Sequence, residues 1–348
     1  MTSRLPIVSA LAAALLFGAS TPIAKLLSNQ VSPVLLAGLL YLGSGLGLWT
    51  IRIVRDRGFG ASTLPARERP WLIGAILAGG VLAPILLMYG LSRTSAGNAS
   101  LLLNFESVFT ALLAWIVFRE AADRRIVLGM TLIVVGGAVL TGTQNGPLHA
   151  DRVGEIAIGA ACLCWALDNN LTRKVSASDA LFIAGTKGLV AGITNLSLAF
   201  ALGATVPALR LTLTAMTVGL LGYGMSLVLF VIALRGLGSA RTGAYFSTAP
   251  FIGAAIAILA FKEPVSIPFG ICALLMGMGV WLHLTERHNH EHTHDATTHA
   301  HPHAHDIHHQ HQHDFPWDGT EPHVHEHHHE EMIHGHPHFP DLSHTHRH

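Results

Sequence analysis

Three ionisable side chains lie inside long apolar runs of this 348-residue sequence: Glu106, Asp168 and Lys187. Moving each charge to the middle of a bilayer costs at least about 2.5 kcal/mol, so each is expected to face a watery cavity or an opposite charge. If all three ionise, their sum is one negative charge, which favours binding of a proton or a cation. We therefore predict that these residues carry the chemistry of the chain.

Glu106 is the leading candidate for a proton carrier. Asn104, Ser107 and Thr110 supply hydrogen-bonding groups near it in the sequence. A carboxylate that loses its water binds a proton more readily, so Glu106 could take up and release a proton as a cavity opens to either side. The alternative is a fixed ion pair with Lys187 or with an arginine at a helix end.

Asp168 is followed directly by Asn169 and Asn170, and this row could bind an ammonium group, a hydroxylated ligand or a cation. The alternative is a polar cluster at a helix end, held by the basic pair at 173–174. Lys187 could neutralise either carboxylate, or its long side chain could reach the membrane interface as an anchor. Both alternatives stay open from the sequence.

The elements that position these residues are expected to be membrane helices. Half of the residues are apolar, 12% are charged and the mean hydropathy is +0.45, which excludes an ordinary water-soluble domain. Apolar runs of about 18 to 24 residues match the hydrocarbon thickness of a bilayer. Ten such runs are predicted, at 5–27, 33–54, 70–91, 96–118, 126–143, 153–171, 179–203, 211–234, 239–261 and 265–284.

Three prolines fall within these runs: Pro22, Pro84 and Pro250. Each lacks a backbone donor, so each is expected to kink its helix and to expose backbone polar groups that a cavity could use. Packing could use the same kinks. Trp165 and Tyr245 are predicted to line that cavity.

The two halves of the apolar region resemble each other. SVFTALLAWIVFRE at 107–120 aligns without a gap on PFIGAAIAILAFKE at 250–263, and FGASTPIAK at 17–25 aligns on WALDNNLTR at 165–173. The repeats predict two domains, 5–143 and 153–284, of five spans each. Because five is odd, the second unit must be inverted relative to the first, as in many secondary transporters.

The ten spans, the duplication and the paired FRE and FKE helix ends resemble the EamA family of the drug/metabolite transporter superfamily over about residues 5–284. This resemblance implies a ten-helix secondary carrier, often an exporter of small metabolites, with a central cavity lined chiefly by helices 1, 3, 4, 6, 8 and 9. Lys and Arg are concentrated in the loops on the side of the N-terminus, which predicts cytoplasmic termini in a bacterial-type cytoplasmic membrane.

All but two of the 25 histidines lie in the third predicted domain, residues 285–348. Histidines that alternate with acids, prolines and threonines cannot build a hydrophobic core, so a disordered cytoplasmic tail is expected. Neutral imidazole binds zinc, nickel and copper. The candidate metal ligands are His288, His290, His292, His294, His299, His301, His303, His305, His308, His309, His311, His313, His323, His325, His327, His328 and His329.

The sequence thus predicts an all-α membrane protein that exports a small polar metabolite, coupled to protons through Glu106, with a metal-binding regulatory tail. Two alternatives are an exporter of divalent metal or a metal chelate, and a membrane-anchored metal buffer that transports nothing. The sequence contains no P-loop, nucleophile elbow or metalloprotease motif, so an enzyme is not expected. The expected partners are a small-molecule substrate and the lipid bilayer, with no nucleic acid and no required cofactor; a homodimer is left open.

Overall fold

A computed structural model of the chain describes residues 5–58, 64–117, 124–142, 152–176, 178–285, 289–294, 297–303, 323–329 and 332–337. They divide into two units, Met1–Glu286 and Arg287–His348. The FRE segment at 118–120 lies outside the described residues.

The first repeat contains seven α-helices, because two of its expected spans are broken. They are α1 (Leu5–Ser28), α2 (Pro33–Asp56), α3 (Arg69–Ala75), α4 (Ala83–Arg93), α5 (Ala96–Leu102), α6 (Phe105–Val117) and α7 (Arg124–Gly142). A 3₁₀ turn, Ala66–Glu68, precedes α3, and a π-helical segment, Ile76–Leu82, joins α3 to α4.

The second repeat contains six α-helices: α8 (Arg152–Val175), α9 (Ala180–Ala201), α10 (Leu209–Val218), α11 (Ser226–Phe246), α12 (Ala249–Phe261) and α13 (Ile267–Leu284). A second π-helical segment, Gly219–Met225, joins α10 to α11. The alignment that places 107–120 on 250–263 also places Ile76–Leu82 on Gly219–Met225, so both repeats carry the same interruption. Such π-helical turns occur frequently at functional sites.

Within the described residues, eight helical stretches are long and apolar enough to cross a membrane, whereas the sequence predicts ten spans. The two others differ for visible reasons. Helix α8 has 24 residues but carries Asp168, Asn169 and Asn170, which lower its hydropathy. The expected span at 96–118 is interrupted at Leu103 and Asn104, between α5 and α6. The structure therefore shows a multi-pass helical protein, and ten spans remain a prediction.

The long helices of one repeat pack chiefly on helices of the other. Helix α2 packs along α9, and α7 packs along α13. Helix α1 contacts α11 and α12, while its counterpart α8 contacts α4 and α6. At the crossing of α2 and α9, Gly45 and Gly188 let the backbones meet, because a Cβ at Gly188 would lie 2.6 Å from the Gly45 nitrogen. The apolar core therefore forms between the repeats.

The tail differs from the expectation of disorder at four segments. Strand β1 (Asn289–His294) pairs antiparallel with β4 (Met332–Pro337), and β2 (Thr297–His303) pairs antiparallel with β3 (His323–His329). Histidines at every second position have the period of a β-strand, and the pairing satisfies backbone groups that disorder would leave to water. Of the candidate metal ligands, His288, His305, His308, His309, His311 and His313 lie outside the described residues.

Candidate functional site

A cavity between the two repeats offers about 70 Å³ of water-accessible space. Its wall draws on α1, α2, α6, α8, α9, α11 and the π-helical segment Gly219–Met225. Spans 1, 4, 6 and 8 contribute as the family resemblance implies, and Phe246 contributes from span 9. Spans 2 and 7 contribute as well, whereas span 3 supplies none of the described lining residues.

Asp168 and Lys187 form an ion pair in this wall. Lys187 Nζ donates a hydrogen bond to Asp168 Oδ2, and the two side chains are only 3% (Lys187) and 6% (Asp168) exposed. Thr172 Oγ1 donates a 2.9 Å hydrogen bond to the other carboxylate oxygen. Gly79 lies against the carboxylate, where a Cβ would overlap it. The two charges therefore neutralise each other inside the protein.

Glu106 lines the same cavity from the first turn of α6. Its Oε1 accepts a 2.7 Å hydrogen bond from Asn169 Nδ2. Of the two carboxylates that the sequence offers to Lys187, the structure pairs the lysine with Asp168. Glu106 is thus held by a neutral amide, and Asn169 joins it to α8.

The break between α5 and α6 sets the position of Glu106. Asn104 is buried, and its Nδ2 donates a 2.9 Å hydrogen bond to the Leu101 carbonyl. Ser107 Oγ donates a 2.7 Å hydrogen bond to the Asn104 carbonyl. Asn104 therefore stabilises the break, and it is not among the described residues that line the cavity. Asn170 also bonds locally, because its Nδ2 donates to the Ala166 carbonyl of its own helix at 2.8 Å.

Aromatic rings form much of the remaining wall. Phe17 lies at the centre, with ring centroids 5.7 Å from Trp165, 5.7 Å from Tyr223 and 5.4 Å from Phe246. Trp165 lines the cavity as predicted, whereas Tyr245 is not among the described lining residues. The sequence reading missed Phe17, Tyr223 and Phe246. In the repeat alignment Gly222 falls on Gly79 and Tyr223 falls on Gly80, and this exchange of a glycine for a tyrosine is the signal that could have found Tyr223.

The first π-helical segment supplies a carbonyl to two cavity residues. Tyr41 OH donates to the Gly79 carbonyl at 2.7 Å, and Trp165 Nε1 donates to the same oxygen at 3.1 Å. Pro84 and Pro250 stand in the first turns of α4 and α12, directly after irregular backbone, where a missing donor costs little. Both prolines therefore lie where one helical segment gives way to the next, and the predicted kinks stay a prediction. Pro22 is buried within α1.

Hydrogen bonds to Glu263 join the repeats at one end of the helix bundle, here termed the Glu263 end. Glu263 accepts hydrogen bonds from the backbone N–H groups of Ala96 (2.9 Å) and Gly97 (2.8 Å) at the start of α5. Lys25 Nζ donates a 2.6 Å hydrogen bond to the Leu91 carbonyl. The Glu263 contacts join the two repeats, whereas the Lys25 contact ties α1 to α4 within the first repeat.

An ionic cluster joins the repeats at the opposite end of the helix bundle, near the last turn of α2. This end is termed the Asp179 end. Asp179 accepts from Arg52 Nε at 3.4 Å, from Arg55 Nη1 at 3.3 Å and from the Leu181 N–H at 2.9 Å. Burial opposes ionisation, but the hydrogen bonds from Arg55 and Leu181 outweigh it and lower the pKa of Asp179 below its usual 3.8. A four-residue loop joins α1 to α2, so Lys25 and Arg52 lie at opposite ends of the bundle.

The described residues contain no group of three or more His, Cys, Asp or Glu side chains that could hold a metal ion. Cys162, Cys164 and Cys272 are free thiols. His283 Nε2 lies 3.2 Å from the Ile126 carbonyl, where it joins α13 to α7.

Comparison with known proteins places this architecture among transporters. The sequence pattern of the EamA-like transporter family matches residues 4–142 and 152–285. An uncharacterized transporter of Methanothermobacter thermautotrophicus is 31% identical over 290 residues, covering 79% of this chain and 84% of that protein.

A probable 4-amino-4-deoxy-L-arabinose-phosphoundecaprenol flippase subunit of Pseudomonas aeruginosa is 37% identical over 110 residues, covering 31% of this chain and 93% of that protein. A solved crystal structure shares the fold, with a TM-score of 0.62, 18% identity and coverage of 82% of this chain and 99% of the other.

Proposed function

Because the chain belongs to the EamA-like transporter family and is therefore a membrane transporter, we propose that it exports a small polar metabolite across the cytoplasmic membrane in exchange for protons. Glu106 binds the proton. The observation that carries this proposal is the position of the Glu106 carboxylate, which lies in the cavity between the repeats and is held by the neutral Asn169 amide.

Proton exchange fits the chemistry around Glu106. A carboxylate bound to a fixed cation would stay ionised, whereas one bound to an amide can gain or lose a proton at moderate cost. The Asp168–Lys187 pair satisfies its own charges, so Glu106 is the carboxylate of the described cavity wall that is not held in an ion pair. Intramembrane carboxylates of this kind serve as proton relays in transporters.

The ten spans form two inverted units that rock about the cavity, with both termini in the cytoplasm. The distribution of Lys and Arg supports this orientation, which puts the Glu263 end on the outer side and the Asp179 end on the cytoplasmic side. Contacts between the repeats at both ends support a rocking motion, because one set must open while the other holds.

The histidine tail binds zinc, nickel or copper and regulates the carrier. Its support is the density of imidazole groups in residues 288–348. Direct export of a divalent metal is the second candidate, and it draws its support from the tail alone, because the described cavity wall contains no histidine or cysteine.

The test first compares cells that lack the protein with cells that produce it, to identify a solute that accumulates in the cells lacking the protein. Uptake of that solute into inside-out vesicles is then measured. A pH gradient should drive uptake by the natural protein and by Glu68→Gln, a control in the 3₁₀ turn before α3. It should not drive uptake by Glu106→Gln. Full pH-driven uptake by Glu106→Gln would exclude the coupling role.

Deleting residues 288–348 addresses the second candidate. Metabolite uptake should persist after the deletion, with altered dependence on added zinc. Loss of zinc efflux with no change in metabolite uptake would instead support metal as the cargo.

A further inference from the structure

We propose that the cavity binds an organic ammonium ion, and that the ammonium group and the proton compete for Glu106. This inference rests on the proposed function, since it names the class of substrate that the same site takes. It follows from three properties of the cavity: its charge, its aromatic wall, and the lack of groups in the described wall that could bind an anion or a divalent metal.

The charge of the cavity is negative when Glu106 ionises. Lys187 donates to Asp168 and is almost fully buried, so its charge is already compensated. Among the described lining residues, Lys187 is the single cation. Glu106 receives its side-chain hydrogen bond from Asn169, which carries no charge. One positive charge, on a proton or on a substrate, therefore completes the balance.

The aromatic wall favours an organic cation over a small inorganic one. Phe17, Trp165, Tyr223 and Phe246 line the cavity together with Glu106. The negative face of an aromatic ring attracts an ammonium group within about 6 Å, and the ring also contacts apolar carbon. A primary ammonium can donate to the carboxylate and to Ser44 while its carbon chain lies on the rings.

Other classes of ligand fit this wall less well. An anion would have to draw Lys187 away from Asp168 and leave a buried carboxylate without its counter-ion. A divalent metal needs several oxygen, nitrogen or sulfur ligands to replace its water. Within the described wall, Glu106 is the one carboxylate not held in an ion pair, and the Ser226 hydroxyl already donates to the Ala13 carbonyl at 2.9 Å.

Competition sets the stoichiometry of exchange. Glu106 carries either a proton or an ammonium ion, so each monovalent cation that binds releases one proton. Exchange of one substrate for one proton then moves no net charge across the membrane.

Three probes that share a phenylethyl group test this inference: phenethylamine, 3-phenylpropanoate and phenylalanine. Binding to the purified full-length chain in detergent is measured by calorimetry, and proton release is followed with a pH dye in weak buffer. Phenethylamine should bind saturably and release up to about one proton per chain at the pH where Glu106 is protonated. 3-Phenylpropanoate should not bind, and phenylalanine should bind at least about tenfold more weakly than phenethylamine, because its carboxylate faces Glu106.

The Glu106→Gln variant should release no proton and should bind phenethylamine at least about tenfold more weakly, whereas the Glu68→Gln control should match the natural protein. Equal or tighter binding of 3-phenylpropanoate by the natural protein would overturn the inference without the use of any variant. So would phenethylamine binding that is absent or does not depend on Glu106.

The two proposals fail separately in these experiments. If pH-driven metabolite uptake needs Glu106 but phenethylamine does not bind, the ammonium class is wrong and proton coupling stands. If phenethylamine binding needs Glu106 but uptake remains pH-driven in Glu106→Gln, coupling through this residue is wrong and the ammonium site stands.

Discussion

The buried ion pair predicts a large and specific loss of stability when one partner is removed. Lys187→Met leaves the Asp168 carboxylate, whose side chain is 6% exposed, with Thr172 as its remaining side-chain hydrogen-bond donor. Removing one partner of a buried pair costs about 3–5 kcal/mol, whereas replacing both by neutral groups is often neutral. Single replacement should therefore be far more harmful than double replacement.

The assay is thermal unfolding of the purified chain in one detergent, followed by tryptophan fluorescence. At about 1.5 °C per kcal/mol for a chain of this length, Lys187→Met should lower the unfolding temperature by roughly 4–8 °C. The double variant Asp168→Asn, Lys187→Met should have an unfolding temperature close to that of the natural protein.

Thr172→Val serves as the control, because it removes one hydrogen bond to the same carboxylate at a cost of about 1 kcal/mol. If the double variant loses as much as the two single variants together, the charges are not coupled. That result would refute the assignment of Lys187 to Asp168.

Three further predictions follow from the packing. Glu263→Ala should speed amide hydrogen exchange at 96–102, since the Ala96 and Gly97 amides lose their acceptors; unchanged protection would contradict the contact. Because folding lowers the pKa of Asp179 below 3.8, its stabilisation is present above that value and is lost as the pH falls beneath it. The unfolding temperature of Asp179→Asn should thus fall less in acid than that of the natural protein, and parallel curves would exclude this role. Gly79→Ala should cost about 1–3 kcal/mol through overlap with Asp168, whereas Gly159→Ala, which has open space around it, should cost nothing; equal unfolding temperatures would contradict the close approach.

Sequence periodicity and length predicted most of the helices, because a membrane span needs a long apolar run whatever its neighbours are. The duplication was also visible, because the sequences at 107–120 and 250–263 align without a gap, and the family pattern matches each half of the chain separately. The interruptions were not visible. A π-helical turn such as Ile76–Leu82 changes the hydrogen-bond register by one residue and leaves the apolar pattern almost intact.

The candidate site was predicted in part for a similar reason. The cost of a charge in lipid singled out Glu106, Asp168 and Lys187 one at a time, but their pairing depends on how α8 and α9 pack, which no local pattern records. Tyr41 was missed because an aromatic residue in an apolar run looks like any core residue. Its role depends on a distant carbonyl, that of Gly79.

The central claim is that the repeats enclose a cavity open to each side of the membrane in turn. Its most direct test is labelling of Ser44→Cys, which lines the cavity, in a chain whose three native cysteines are replaced. A membrane-impermeant thiol reagent should reach this cysteine from the outside in right-side-out vesicles and from the inside in inverted ones. It should not reach Leu274→Cys in either preparation, because this exposed position lies near the middle of α13, where lipid covers it. Labelling of Ser44→Cys from neither side, or from one side under every substrate and pH condition, would contradict the claim.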